Sequence, residues 1–124
     1  MDRSTVGKAG EDLACEYLVK NKYKILKRNW REKWDEIDII ARAKDGMLIF
    51  VEVKTFKAGG LADGGGLSSE DNMTPAKLKK LKRACEACAA KNPEFVAENL
   101  GWRIDLLAIE IGGAEPKIRH YENL

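Results

Sequence analysis

Two apolar runs separated by a short polar turn constrain this chain more than any other feature. Glu36-Ile37-Asp38-Ile39-Ile40 and Ile49-Phe50-Val51-Glu52-Val53-Lys54 are each apolar enough to read as buried strands. Between them lies Lys44-Asp45-Gly46, a hairpin signal in which Gly46 can take a left-handed backbone at low cost. A three-residue loop sets Ala43 opposite Met47, and counting down the ladder then sets Asp38 opposite Glu52. Opposed residues share a face, and so do Glu52 and Lys54, two positions apart. A two-residue loop would shift the register by one and turn Asp38 to the other face. The three-residue register therefore gathers two carboxylates and a lysine inside apolar strands, where unpaired charge is costly. Opposed carboxylates repel each other and become tolerable with a cation between them.

The rest of the chain supplies elements to pack against that hairpin. Val6, Gly10, Leu13, Ala14, Tyr17 and Leu18 recur at helical spacing, with Ser4 or Thr5 as cap and Asn21 as stop. Gly7 and Gly10 lack side chains, so that end of the helix can approach another element closely. Residues 23–30 read as a strand, followed by a charged connection through Trp34. The hairpin strands span about 36–42 and 47–55. A glycine-rich stretch, about 57–73, has no period and reads as a mobile loop able to cover a substrate. Thr74-Pro75 opens a second helix with Leu78, Leu81, Cys85 and Cys88 as its buried stripe, and Asn92-Pro93 ends it. A short helical turn within 94–100, a buried strand over 102–111 and an edge strand over 117–121 complete the order. The expected architecture is one α/β domain spanning residues 1–124, with an αβββαβ core and a mixed sheet flanked by helices.

A chain of 124 residues can bury a sizeable core without disulfides. Three cysteines, an odd number, argue against a disulfide framework. The polar start and the lack of any run near the ~18 apolar residues of a membrane span point to a cytoplasmic protein with no membrane partner. The net charge of +2 is small, but basic residues crowd two stretches, Lys20 to Lys33 and Lys77 to Arg83. Local patches of that kind can attract a polyanion.

An acidic pair with a lysine suits metal-assisted phosphodiester hydrolysis. A hard cation, Mg²⁺ or Mn²⁺, prefers carboxylate oxygen, can acidify a water and neutralises phosphate charge. Lys54 is expected to act as a fixed positive charge on the transition state rather than as a base. Lys77, Lys80 and Arg83, on the helix that follows the glycine-rich loop, are candidates for phosphate contact. Arg103 and Asp105 alternate on one face of a buried strand and are expected to pair in a supporting role. Cys85 and Cys88 read as small core residues, Trp30 and Trp34 as core aromatics, and His120 as structural.

Gly7-x-x-Gly10-Glu11, then Glu36-Ile37-Asp38-Ile39-Ile40, then Phe50-Val51-Glu52-Val53-Lys54-Thr55 together resemble the YraN family over nearly the whole chain. These are small bacterial proteins predicted to have a restriction-endonuclease-like fold, similar to archaeal Holliday-junction resolvases and to PD-(D/E)xK nucleases. The resemblance implies that Asp38, Glu52 and Lys54 are the nuclease signature and that Glu11 is a further acid, joining Asp38 and Glu52 in holding the metal. It also implies a DNA substrate, possibly branched, which would suit a two-fold homodimer presenting two sites. Two positions depart from the family pattern: Asp35 stands where glycine is usual, and Phe56 where arginine is frequent. The rival readings are a nucleic-acid-binding module that keeps the fold without cleaving, and an interaction protein with a structural acidic cluster.

Overall fold

The hairpin closes through three residues. In the computed structural model the Gly46 amide donates to Ala43 O at 2.8 Å and the Ala43 amide to Met47 O at 2.9 Å. Gly46 sits at φ +98°, the left-handed backbone that the turn requires. The structure describes residues 3–33, 35–58, 73–97 and 99–124, without the side chains of Arg3 and Ser4. Most of the glycine-rich stretch, read as a mobile loop, and Trp34, read as a core aromatic, lie outside the described residues.

The elements follow in the order α1 (Arg3–Lys20), β1 (Lys24–Arg31), β2 (Glu36–Arg42), β3 (Leu48–Lys57), α2 (Pro75–Lys91), a 3₁₀ turn (Pro93–Phe95), β4 (Trp102–Ile111) and β5 (Lys117–Tyr121). The expected αβββαβ order is present, with the edge strand added after it. The five strands form one sheet in the order β1-β2-β3-β4-β5. The β3–β4 pair is parallel and the other three pairs are antiparallel. The parallel pair is the crossover through α2.

A helix lies on each face. Ala14 and Leu18 of α1 pack with Ile39, Ile49, Val51, Leu107 and Ile109. Leu81, Ala84, Cys85 and Cys88 of α2 pack with Ile40, Leu48, Phe50 and Ile104. Both α2 cysteines are thus core residues, and Trp30 packs edge-on against Phe95 beside the same cluster. Thr74 caps α2 as expected, its hydroxyl accepting from the Lys77 amide at 3.2 Å.

Two local expectations are corrected. Helix α1 is already under way at Arg3, so Ser4 and Thr5 lie within its first turn instead of capping it. It ends at Lys20 with Asn21 as the stop, as expected, and Lys22, at φ +72°, turns the chain so that the Tyr23 amide reaches back to Leu18 O at 2.9 Å. Only one of the two helix glycines marks a close approach. A Cβ on Gly10 would collide with the Thr55 side chain at Oγ1, whereas one on Gly7 would meet nothing within 4 Å.

Candidate active site

The site begins where the sheet forks. Paired residues of β2 and β3 run from Arg42–Leu48 to Ile39–Val51, and the next rung in that register is Asp38 with Glu52. At that rung the ladder ends, and the Val53 amide donates to Asp38 Oδ2 at 2.8 Å. A side-chain carboxylate therefore takes the backbone donor, which satisfies the amide and fixes the carboxylate's orientation. Beyond it β2 stays with β1 while β3 stays with β4 out to Lys57–Ile111.

A cleft of about 340 Å³ opens at the fork, lined by Asp35, Glu36, Asp38, Glu52, Lys54, Met73, Lys77, Lys80 and Leu81. The structure thus brings Asp38, Glu52 and Lys54 together with two of the three expected phosphate-contacting residues. Arg83 is not among the lining residues. It flanks a different hollow with Lys79 and Lys82, because α2 turns about 100° per residue and only Lys77 and Lys80 share the Leu81 side. The larger hollow, about 740 Å³, lies elsewhere, against Leu13, Tyr17, Val19 and Ile118. It is mostly apolar and contains none of the residues singled out for chemistry.

The fork is electrostatically strained. Burial pushes the Glu52 carboxyl up to about 8, with the Asp38 charge adding to the rise and Lys54 opposing it. Asp38 is also raised, by burial first, against the Val53 amide and a hydrogen bond with Glu52. Both carboxyls are therefore held above their ordinary values. Lys54 Nζ stands 3.8 Å from Glu52 Oε1, close enough to lower the charge of the pair without neutralising it. The fit to a cation follows from the donor set. The donors are all oxygens, and the repulsion between the carboxylates is what a hard divalent ion would relieve.

Glu11 stands beside this cleft and does not line it. It comes from α1, on the opposite face, and its carboxylate lies 3.8 Å from Arg28. Burial raises its affinity for a proton, and the Asp38 charge raises it further. Arg28 also reaches Asp12 at 2.8 Å. Sequence reasoning did not single out Asn29 or Glu36. Glu36 could have been found, since it stands two positions from Asp38 on the same strand.

Arg103 and Asp105 pair as expected, at 2.9 and 3.2 Å, but on the α1 face and away from the cleft. Asp105 neighbours Val51, whose side chain belongs to the α1-side core. Asp105 is fully buried and also meets His120 Nε2 at 2.7 Å and the Asn123 amide at 3.0 Å. Burial opposes its ionisation, but the bonds from His120, Arg103 and Asn123 outweigh it and hold the carboxyl below the usual range. Tyr17 Oη lies 2.9 Å from His120 Nδ1, which places His120 in a structural cluster. Asp105, His120 and Glu122 present ligand atoms within 4.8 Å of one another. Arg103 already occupies that position, bonded to Asp105 and to Glu122 at 3.1 Å. A cation there would have to displace a guanidinium that matches both carboxylates.

The profile of the uncharacterised protein family UPF0102 matches residues 10–109. The chain belongs to this family. It is the family that the YraN resemblance indicated. The UPF0102 protein of Flavobacterium johnsoniae is 39% identical over 119 residues, covering 96% of this chain and 92% of that one. The UPF0102 protein of Syntrophomonas wolfei is 35% identical over 118 residues, covering 95% of each. Among solved structures the chain is similar to EndoMS, from an EndoMS–dsDNA2 complex, at 16% identity and a TM-score of 0.43, covering 77% of this chain and 34% of that one. It is also similar to SfsA of Pyrococcus furiosus in complex with Ca²⁺, at 20% identity and a TM-score of 0.38, covering 99% and 64%. Among the described residues of this UPF0102 chain, no helix is long and apolar enough to cross a membrane.

Proposed function

We propose that this chain is a metal-dependent nuclease that hydrolyses DNA phosphodiester bonds, with branched DNA as the preferred substrate. The observation that carries the reading is the composition of one cleft: Asp38, Glu52 and Lys54 on the floor, Lys77 and Lys80 on the α2 wall. Acid to hold a cation and base to hold a phosphodiester are then within one substrate's reach. Asp38 and Glu52, with Glu11 beside them, would hold Mg²⁺ or Mn²⁺. Bound there, the ion would supply an acidified water and neutralise charge on the scissile phosphate.

The chain's own groups do the rest. The Val53 amide keeps the Asp38 carboxylate aimed into the cleft. Lys54, on the same face as Glu52, offers positive charge where negative charge develops in the transition state. Lys77 and Lys80 lie along one side of α2 and can grip the phosphates that flank the cut. A two-fold dimer would present two such clefts to the arms of a branched substrate.

The test uses labelled four-way-junction, flap, single-stranded and duplex DNA in Mg²⁺ and in Mn²⁺. The wild type is expected to cleave, branched forms fastest. Asp38→Ala and Lys54→Ala should each slow cleavage by about 100-fold or more, in the range of lost transition-state charge stabilisation. Cleavage that persists in both variants rejects the site. Binding without cleavage by the wild type in every condition would favour a non-catalytic binding module.

A further inference from the structure

We propose that Asn29 is a positioning residue that ties Glu11 of α1 to Glu36 of β2 and holds both acids at the edge of the cleft. The proposal rests on the nuclease reading above. Asn29 lies inside β1, between the paired residues Arg28–Ile39 and Trp30–Ile37, so the register sets it opposite Asp38. Its φ is +52°, a left-handed backbone in the middle of a strand. Asparagine bears that conformation better than most residues but still at a cost, and no turn at this point requires it.

The geometry shows what the conformation achieves. With the carboxamide nitrogen facing the acids, Nδ2 lies 3.0 Å from Glu11 Oε1 and 3.2 Å from Glu36 Oε1. The opposite orientation would set an amide oxygen against two carboxylates. An amide nitrogen has two hydrogens, one for each carboxylate, and adds no charge. Successive side chains of a regular strand point to opposite faces. Here Arg28 and Asn29 both serve acids of α1, Arg28 reaching Asp12 and Glu11 and Asn29 reaching Glu11. The left-handed residue is what lets two neighbours do this. Glu36, which lines the cleft, is thereby linked to Glu11, which does not.

The test measures Mn²⁺ binding to the DNA-free protein by calorimetry, alongside thermal melting. Asn29→Gly keeps the backbone conformation at lower strain and removes the amide. It should melt within a few degrees of the wild type, yet bind Mn²⁺ about tenfold more weakly. In a Glu11→Gln background the same substitution should add less than about twofold, because the two residues act as one unit. Wild-type Mn²⁺ affinity in Asn29→Gly, or full additivity with Glu11→Gln, overturns the proposal while leaving the nuclease reading intact. An Asp38→Ala variant that binds Mn²⁺ as well as the wild type would remove the nuclease reading, and this proposal with it.

Discussion

The sheet carries an acidic cluster on each face, fully buried at Asp105 and half-buried at the fork, and the two are treated in opposite ways. On the α1 side, Asp105 is ringed by Arg103, His120 and the Asn123 amide, and its carboxyl is held below the usual range. On the α2 side, Asp38 and Glu52 face each other with one backbone amide and a lysine 3.8 Å away, and both carboxyls are pushed up. The first arrangement satisfies a charge and anchors the last strand and the C-terminal residues to the sheet. The second leaves charge poorly compensated in a cleft, which is the arrangement expected of a functional site. Burial differs in degree, complete at Asp105 and partial at the fork, yet it is the fork whose carboxyls are raised. The supply of donors distinguishes them.

Exchanging the carboxyl in each cluster should give the largest contrast. Asp105→Ala removes the buried partner shared by a guanidinium, an imidazole and a backbone amide, and should cost about 3–5 kcal/mol in urea denaturation. Glu52→Gln removes a repelled charge and should be neutral or stabilising by about 1 kcal/mol at pH 8, while metal-dependent cleavage falls by about 100-fold. An equal stability loss in both would erase the distinction.

Helix α1 serves both clusters, Glu11 approaching one and Tyr17 the other. Its seat is Gly10 against Thr55. Gly10→Ala should therefore cost about 1–3 kcal/mol through overpacking. Gly7→Ala, with open space around it, should gain up to about 1 kcal/mol from helix propensity. A harmless Gly10→Ala would show that α1 is not seated as described.

The two clusters should also answer pH in opposite senses. Glu52 carries a raised folded value of about 8 against an ordinary 4.5. Its stabilising contribution is full below pH 4.5 and is lost as pH rises through about 8, so metal-free protein should lose stability across that window. Asp105 is lowered from 3.8. Its contribution is present above that value and is lost as pH falls through the depressed one. Glu52→Gln should flatten the alkaline limb of the melting profile and leave the acid limb unchanged.

The smallest effects should come from the α2 wall. Lys77→Ala and Lys80→Ala should each weaken DNA binding about threefold to tenfold and lower the salt slope by about one. Stability should move by less than about 0.5 kcal/mol. Arg83→Ala, on a different side of the helix, should do less to binding than either.

The hairpin and its register were legible in the sequence because a turn glycine and two apolar runs leave few pairings that bury one face. The second helix was legible for similar reasons, with a cap, a proline and an apolar stripe in succession. Asn29 was not legible, since a left-handed residue inside a strand leaves no periodic trace. Which of Lys77, Lys80 and Arg83 line the cleft was not legible, because a run of basic residues does not say which of them face the same way. Arg103 and Asp105 were paired correctly, but only the alternation of β4 across the sheet shows that they belong to the far face. Glu11 entered through family resemblance, and its meeting with Asn29 depends on how closely Gly10 lets the helix approach.

On the proposed function, a divalent cation is held at the fork and not at the Asp105 cluster. Mn²⁺ is paramagnetic and broadens nearby NMR signals, which allows both places to be read in one titration. The Val53 amide, bonded to Asp38, reports on the fork, and the His120 ring, bonded to Asp105, reports on the other. Substoichiometric Mn²⁺ is expected to broaden the Val53 amide first and to leave the His120 ring sharp. Early loss of the His120 signals with Val53 unchanged would contradict it.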